Sequence, residues 1–248
     1  MSGYETFARY YDSLTRNVDY EARADYMCRL LEHCNHPAGL TLDLACGTGS
    51  LTLALAKRGL DIYGIDSSYA MLSQARQKAA DAGYDILYLC QKMQSIDLYG
   101  TVDTVFCSLD SINHLPSLRE VERTFALVSL FMNPGGMFVF DVNSLYKHRN
   151  VLANNTFVYD LEDIFCVWQN STDERTCRTR VVIDFFEKEG QTYWRSSEHF
   201  TETGYDPAVL TKLLEAQGFG DIRQFADLTL DPPGEDTQRI IFAATKLP

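Results

Sequence analysis

Residues 42–50 read LDLACGTGS and carry the most specific structural signal in the chain. The apolar run before the glycines has the length of a buried strand, and residues 51–58 resume helical spacing before Gly59. Gly47 and Gly49 lack a Cβ, so the chain can turn sharply there and leave room for a ligand against its backbone. The start of the helix adds unpaired N–H groups that suit an anionic part of a ligand. The stretch therefore predicts a strand, a ligand-binding glycine loop and a helix in succession.

A second strand, predicted over 60–65, ends at Asp66. At that position a carboxylate can accept both hydroxyl hydrogens of a ribose. A helix over 67–82 follows, with Ser67 or Ser68 as its cap. The glycine loop together with this acid indicates an adenosine-type ligand.

Strands and helices alternate along most of the chain. The pattern predicts further strands over 86–90, 102–108 and 136–142, and helices over 20–35 and 119–130. Such alternation is typical of an α/β fold, in which helices cover both faces of a mostly parallel sheet. The same pattern returns near the end of the chain, with a helix over 207–217 and strands over 222–228 and 239–245.

Residues 143–204 have a different pattern, rich in β-forming residues. Four runs read as strands, and an EKEGQ turn joins the last two as a hairpin: 156–160, 163–170, 178–187 and 193–200. We interpret this region as an antiparallel β insertion that caps an α/β domain made of residues 1–142 and 205–248.

Composition narrows the possible functions. The 248 residues have a formal net charge of −12 and no visible cluster of basic residues, which phosphate-backbone binding requires. No apolar run approaches the roughly 20 residues that span a membrane, and the N-terminus carries Glu5, Arg9 and Asp12 where a signal peptide would be apolar. We therefore expect a cytoplasmic protein, monomeric or homodimeric, without a nucleic-acid or membrane partner.

The seven cysteines suggest neither disulfides nor a metal. Their number is odd and no CxxC pair occurs, which is typical of reduced thiols. The local group Cys28, His33, Cys34 and His36 matches no common zinc spacing, so its residues are interpreted as surface polar groups and no metal is expected.

The loop also discriminates between ligands. A dinucleotide fingerprint would place glycine or alanine where Thr52 stands, and the Gly-Lys-Ser/Thr of a phosphate-binding loop is absent. Asp43, just before the loop, would oppose a pyrophosphate but could hold a cationic amine. These features favour an adenosine ligand with an amino-acid tail and disfavour a nicotinamide-dependent oxidoreductase.

LDLACGTGS and GIDSSYAML (64–72) resemble the first two motifs of class I S-adenosylmethionine-dependent methyltransferases. FCSLDSINHL (106–115) and LFMNPGGMFVFDV (130–142) are similar to later segments of that family, and the terminal hairpin to its reversed last strand. FARYYDSL (7–14) and the WQN segment (168–170) resemble small bacterial stand-alone members with a β insertion.

The resemblance implies a Rossmann-like fold, S-adenosylmethionine as cofactor, and ribose binding by Asp66 with Met71 against the adenine. The full set implied for the cofactor is Tyr11, Asp43, Ala45, Cys46, Gly47, Thr48, Gly49, Asp66, Ser67, Met71, Met93, Gln94 and Leu109. Relatives commonly have an acid where Lys92 stands, so adenine recognition is expected from the backbone around Met93 and Gln94 or from another side chain.

Methyl transfer from a sulfonium is an in-line displacement that depends mainly on alignment in a water-poor pocket. A base is needed only if the acceptor must lose a proton. Tyr11, by resemblance, closes over the methionine end, with Tyr20 and Arg23 as weaker candidates; plain packing is the alternative. His114 follows the fourth strand and could act as a base, contact substrate or cap a helix.

Within the insertion, aromatic and polar residues could form a substrate pocket or pack against the main domain. The candidates are Trp168, Glu198 and His199, the last as a base, together with Tyr205 directly after the insertion. The favoured function is methyl transfer to nitrogen or oxygen of a small molecule. The alternatives are a cofactor-binding protein and a methyltransferase acting on protein or RNA.

Overall fold

The computed structural model describes residues 3–248, with side chains from Phe7 onward. Its helices are α1 (Gly3–Leu14), α2 (Tyr20–His33), α3 (Ser50–Lys57), α4 (Tyr69–Asp81), α5 (Leu118–Leu130), α6 (Leu145–Lys147) and α7 (Pro207–Ala216). Its strands are β1 (Leu40–Leu44), β2 (Asp61–Asp66), β3 (Tyr88–Cys90), β4 (Val102–Cys107), β5 (Met132–Asn143), β6 (Thr156–Asp160), β7 (Ile164–Asp173), β8 (Arg178–Glu189), β9 (Thr192–Thr203), β10 (Phe219–Ala226) and β11 (Arg239–Lys246).

Within these residues, seven strands form a central sheet in the order β3-β2-β1-β4-β5-β11-β10. Strands β1 to β5 are parallel, whereas β11 runs antiparallel to both β5 and β10. The strand order reverses between β1 and β4, and in open α/β sheets ligands bind where the carboxyl ends of such strands diverge. The prediction of a mostly parallel sheet with a reversed last strand is confirmed.

Alternation along the strands produces a core on each face of this sheet. In β5, Phe138 and Phe140 pack with α5 and α7, whereas Met137 and Val139 pack with α2 and α3. Because both faces are covered by helices, the inner strands are buried along most of their length. A polar side chain in this layer therefore needs a specific partner.

The second sheet lies between β5 and α7 in the chain and has the antiparallel order β6-β7-β8-β9. Gly190, at a φ of +62°, makes the predicted turn between β8 and β9. Its inner residues, Ile164, Ile183 and Phe185 among them, pack against Leu14 of α1. Helix α1 thus connects this sheet to the rest of the molecule.

Three differences between the structure and the sequence pattern concern the first helix and the starts of two strands. Helix α1 was not among the predicted elements, because its apolar residues pack on a sheet that is distant in sequence. Strand β10 begins earlier than residue 222, since Phe219 already pairs with Lys246. Strand β5 begins at Met132 beside Val102, before the glycines that mark the predicted start. No helix in the described part of the chain has the length and apolar character needed to cross a bilayer.

Candidate active site

A cleft of about 200 Å³ lies at the carboxyl ends of β1, β2 and β4, beneath α1. It adjoins a hollow of about 370 Å³ that reaches β9, and the two share Ala45, Asp66, Ser67, Met93 and His114. The cleft is lined further by Phe7, Tyr11, Tyr20, Asp43, Cys46, Gly47, Thr48, Ser50, Leu51, Ser68, Met71, Ser108, Leu109 and Ser111. The hollow is lined further by Gln91, Lys92, Gln94, Leu115, Pro116, Phe200 and Thr201.

The two glycines of the loop have different environments. Gly47 lines the cleft at a φ of +55°, and a Cβ placed on it would meet no protein atom within 4 Å. Gly49, at +69°, is the residue before α3, and its Cβ would lie 2.7 Å from Oη of Tyr88 and 2.8 Å from Cβ of Ala75. Gly47 therefore leaves space for a ligand, whereas Gly49 permits packing of the loop on β3 and α4. Gly49 does not line the cleft.

Asp66 connects the glycine loop to the start of α4. Its carboxylate accepts hydrogen bonds from the backbone N–H of Gly47 at 3.0 Å and of Ser68 at 2.7 Å. Burial raises the pKa of Asp66, and these two N–H groups oppose that rise. The side chain is thus held in place at the boundary between the cleft and the hollow.

Asp43 lies below the loop and is 2% exposed. The hydroxyl of Thr52 donates to its Oδ2 at 2.6 Å. Burial raises the pKa of Asp43 to about 7, the Thr52 hydrogen bond lowers it, and the charge of Asp66 raises it. Thr52, which stands where a dinucleotide fingerprint would have glycine or alanine, is therefore the hydrogen-bond partner of the buried Asp43.

The turn after β4 is held by an acid on the neighbouring strand. Leu109 and Asp110 have φ values of +57° and +53°, a region that non-glycine residues rarely adopt. Their N–H groups donate to the two carboxylate oxygens of Asp141, at 2.8 and 2.7 Å. Asp141 is fully buried and pairs with the guanidinium of Arg239, which also donates to Asp110 at 2.6 Å.

Sequence reasoning missed this group, although a signal was available: an acid interrupts the apolar run FVFDV at 138–142. In a strand covered on both faces, such an acid requires a buried partner. The sequence could not tell which basic residue that partner is.

Helix α1 covers the cleft and is attached to the glycine loop. Asp12 accepts from the hydroxyl of Thr48 at 2.7 Å and from that of Ser50 at 3.2 Å, and the Lys78 ammonium donates to it at 2.5 Å. Tyr11, the residue before Asp12, lines the cleft, and burial raises its pKa. The sequence did not single out Asp12 and Lys78, whose contact joins α1 to α4.

His114 is brought to the site as predicted. It lines both the cleft and the hollow, and its ring centroid lies 5.1 Å from that of Phe200 on β9. Its Nε2 is 3.9 Å from Oδ2 of Asp110. His199 does not reach the site, which corrects the expectation that it acts there: it is exposed, and alternation along β9 directs Glu198 and Phe200 to the other face.

The remaining candidates of the insertion are outside the lining. Tyr205 is buried in the main core and its hydroxyl donates to the carbonyl of Leu115, which corrects its assignment to the pocket. Trp168 stands edge-on to Phe200, with ring centroids 6.1 Å apart, and so packs against a residue that lines the hollow. Glu198 is buried and accepts from the N–H of Phe7 at 3.3 Å.

One group near the site has donors that a metal could use. Asp110, His114 and Glu202 place ligand atoms within 4.8 Å of one another. Arg239 already pairs with Asp110, and Glu202 accepts from the amide of Asn143 at 3.3 Å. These contacts give the two carboxylates protein partners, so the group needs no cation to be stable.

Comparisons with known proteins agree with this geometry. Residues 41–136 match a family model described as a methyltransferase domain. A Bacillus subtilis (strain 168) protein named "Putative methyltransferase YqeM" is 33% identical over 244 residues, covering 98% of this chain and 97% of that one. The glycine/sarcosine N-methyltransferase of Parasynechococcus marenigrum (strain WH8102) is 30% identical over 236 residues, covering 89% of this chain and 77% of that protein.

Among solved structures, an S-adenosylmethionine-dependent methyltransferase from Clostridium acetobutylicum ATCC 824 superposes with a TM-score of 0.88. The two chains are 30% identical, and the match covers 99% of each. The fold and the cleft define a methyltransferase. The chain belongs to the class I S-adenosylmethionine-dependent methyltransferases, and S-adenosylmethionine is its cofactor. The predicted family, fold class, enzyme class and cofactor are thus confirmed, and the nicotinamide alternative is wrong.

Proposed function

We propose that this enzyme transfers the methyl group of S-adenosylmethionine to a nitrogen or oxygen atom of a small molecule. The observation that carries the proposal is the cover over the cleft. Helix α1 lies on the sheet of β6 to β9, and its Phe7 lines the cleft while standing 6.2 Å from Phe185 and 6.3 Å from Phe200, between ring centroids. A cleft that is partly covered in this way suits a small acceptor better than an extended polymer.

The residues along the cleft suggest how the cofactor is held. Gly47 offers the open space that a ligand needs against the loop, and Asp66 places a carboxylate where ribose hydroxyls can donate. Asp43 would face the amino group of the methionine part. Met71 and Met93 would pack against the adenine, with Gln94 and Lys92 along the adjoining hollow.

The other predicted cofactor residues divide into two groups. The residues that line the cleft and would contact the cofactor are Tyr11, Ala45, Cys46, Thr48, Ser67 and Leu109. Gly49 would act indirectly, because its missing Cβ allows the loop to pack on Tyr88.

The chemistry requires alignment more than acid–base groups. S-adenosylmethionine supplies an electrophilic methyl group and a neutral thioether leaving group. The chain would orient the acceptor, and α1 with its Tyr11 would exclude water; orientation alone can contribute roughly 7–11 kcal/mol. His114 is the histidine that lines the cleft, so it would accept the acceptor's proton or bind the acceptor directly.

The nature of the acceptor follows from charge and from one relative. The net charge of −12 disfavours RNA, and it favours a neutral or cationic acceptor. The similarity to a glycine/sarcosine N-methyltransferase supports a small amine. A protein acceptor is the second candidate, since the hollow beside Phe200 extends the cleft toward the surface. The capping role of residues 143–204, the cytoplasmic location and the monomeric or homodimeric state stay predictions.

Two matched pairs of variants test the proposal. Asp66→Ala should abolish the thermal stabilisation caused by S-adenosylmethionine, whereas Asp61→Ala, at the exposed opposite end of β2, should retain it. With radiolabelled methyl donor and a cell extract, label should enter the small-molecule fraction. His114→Ala should reduce that transfer and His199→Ala should not. Label found only in protein would favour the second candidate, and equal effects of the histidine variants would remove His114 from the site.

A further inference from the structure

Thr52 is a buried residue in the first turn of α3, directly after the glycine loop. Its hydroxyl donates to Oδ2 of Asp43 at 2.6 Å, across nine positions of sequence. Among the described residues this is the one hydrogen bond to that carboxylate. The contact links the helix after the loop to the strand before it, so it fixes the acid with respect to both.

We propose that Thr52 is a positioning residue whose hydroxyl holds the Asp43 carboxylate in the orientation and charge state that bind the cofactor's amino group. The inference rests on the role proposed above for Asp43. It adds a reason for the threonine, which does not line the cleft and would have no direct contact with the cofactor.

The surroundings of Asp43 offer no other group that favours the charged form. Five titratable groups in the described part of the chain interact electrostatically with Asp43, and each of them is acidic or neutral at pH 7. They are Tyr20 on α2, Cys46 in the loop, Asp66 on β2, Tyr88 on β3 and Cys107 on β4. No basic side chain offsets the charge. The hydroxyl of Thr52 is therefore the group that opposes protonation of this acid.

The consequence concerns binding near neutral pH. Burial raises the pKa of Asp43 to about 7 even with the hydrogen bond in place. A hydroxyl that donates to a carboxylate stabilises its charged form, so losing this hydrogen bond favours protonation. Removing the hydroxyl should therefore raise the pKa of Asp43 by at least about one unit. At pH 7 the acid would then be mostly neutral and would attract an ammonium group poorly.

The test compares the pH dependence of binding in variants of similar shape. Thr52→Val removes the hydroxyl, Thr52→Ser retains it, and Thr124→Val removes a buried threonine hydroxyl that donates within α5, away from the cleft. The dissociation constant of S-adenosylhomocysteine, which carries the same amino group, is measured by calorimetry from pH 6 to 9. Titration of the ligand itself affects every variant equally.

Thr52→Val should bind about fivefold more weakly than the wild type at pH 7, because a one-unit rise from a pKa of about 7 reduces the ionised fraction by that factor. Its binding should approach wild-type affinity at pH 9, and Thr52→Ser and Thr124→Val should follow the wild-type profile. An equal loss at every pH, or none, would overturn the inference.

Asp43→Asn separates this inference from the proposed function. If it binds as tightly as the wild type, the role proposed for Asp43 fails and the inference fails with it. If it binds weakly while Thr52→Val keeps the wild-type profile, the role of Asp43 is supported and only the inference about Thr52 is overturned.

Discussion

Replacing Asp43 by asparagine is expected to stabilise the ligand-free protein while weakening its binding of S-adenosylmethionine. Asp43 is 2% exposed, and burial raises its pKa from an ordinary value of 3.8 to about 7. An acid with a raised pKa binds more protons in the folded state than in the unfolded state. The free energy of unfolding therefore falls as the pH rises between these two values, and the loss is complete above pH 7.

The size of the effect follows from the same difference. A shift of about three pH units corresponds to about 4 kcal/mol at 1.36 kcal/mol per unit. Asparagine can still accept the hydrogen bond from Thr52 through its oxygen, but its NH₂ group gains no partner in the protein, which costs about 1–3 kcal/mol. The net gain at pH 8 should be about 2 kcal/mol.

Urea unfolding of the wild type and Asp43→Asn at pH values from 4 to 8 measures this gain. The difference should fall by about 4 kcal/mol from pH 8 toward pH 4, where the folded wild type carries a neutral Asp43, so the variant should be the less stable protein at pH 4. Asp61→Asn, an exposed control on β2, should change stability little at any pH. A variant less stable than the wild type at pH 8, or a gain independent of pH, would show that the buried charge of Asp43 does not destabilise the folded protein.

Three further results are expected. Gly47→Ala should weaken S-adenosylmethionine binding at least about tenfold in calorimetry, because the added Cβ would occupy the space of the ligand. The control Gly59→Ala, which is also at positive φ in open space but lies at the end of α3, should have only the backbone strain of about 1 kcal/mol and should keep its affinity. Equal affinities of the two variants would contradict a ligand against Gly47. Asp12→Lys and Lys78→Asp should each speed dissociation of S-adenosylhomocysteine by up to about fivefold in stopped flow, because such partly exposed ion pairs are worth up to about 1 kcal/mol. The double variant should recover the wild-type dissociation rate. If it does not, the charge pair is not what attaches α1. Asp141→Asn should lower the free energy of unfolding by about 3 kcal/mol in urea titration, because it leaves the buried guanidinium of Arg239 without its full charge partner. An unchanged midpoint would argue against a stabilising Arg239–Asp141 ion pair.

The part of the cleft around the glycine loop could be predicted from sequence because its contacts are local. The glycine loop and Asp66 each belong to one strand–loop–helix unit, and the N–H of Gly47 reaches Asp66 within 19 positions. Spacing alone therefore predicts that these residues lie together. Gly49 is the exception, since its close contact with Tyr88 depends on how β3 packs against the loop.

The acceptor half could not be predicted in the same way. Whether a residue of β9 faces the cleft depends on the register of that strand, and a shift of one position exchanges the two faces. The sequence therefore ranked His199 beside Glu198, although the structure exposes the first and buries the second. His114 lines the cleft because it follows a strand end at the point where the strand order reverses, and its role there stays a prediction.

The class of this protein could be read from local sequence patterns. Short-range spacing of apolar residues, glycines and one acid specifies a parallel sheet that holds an adenosine ligand, because each unit needs only neighbours a few positions away. Tertiary structure alone decided which long-range pairs complete the cleft: Arg239 with Asp141, and Asp12 with Lys78. These partners are far apart in the chain, and opposite charges attract without any preference for spacing, so only the packed fold selects them.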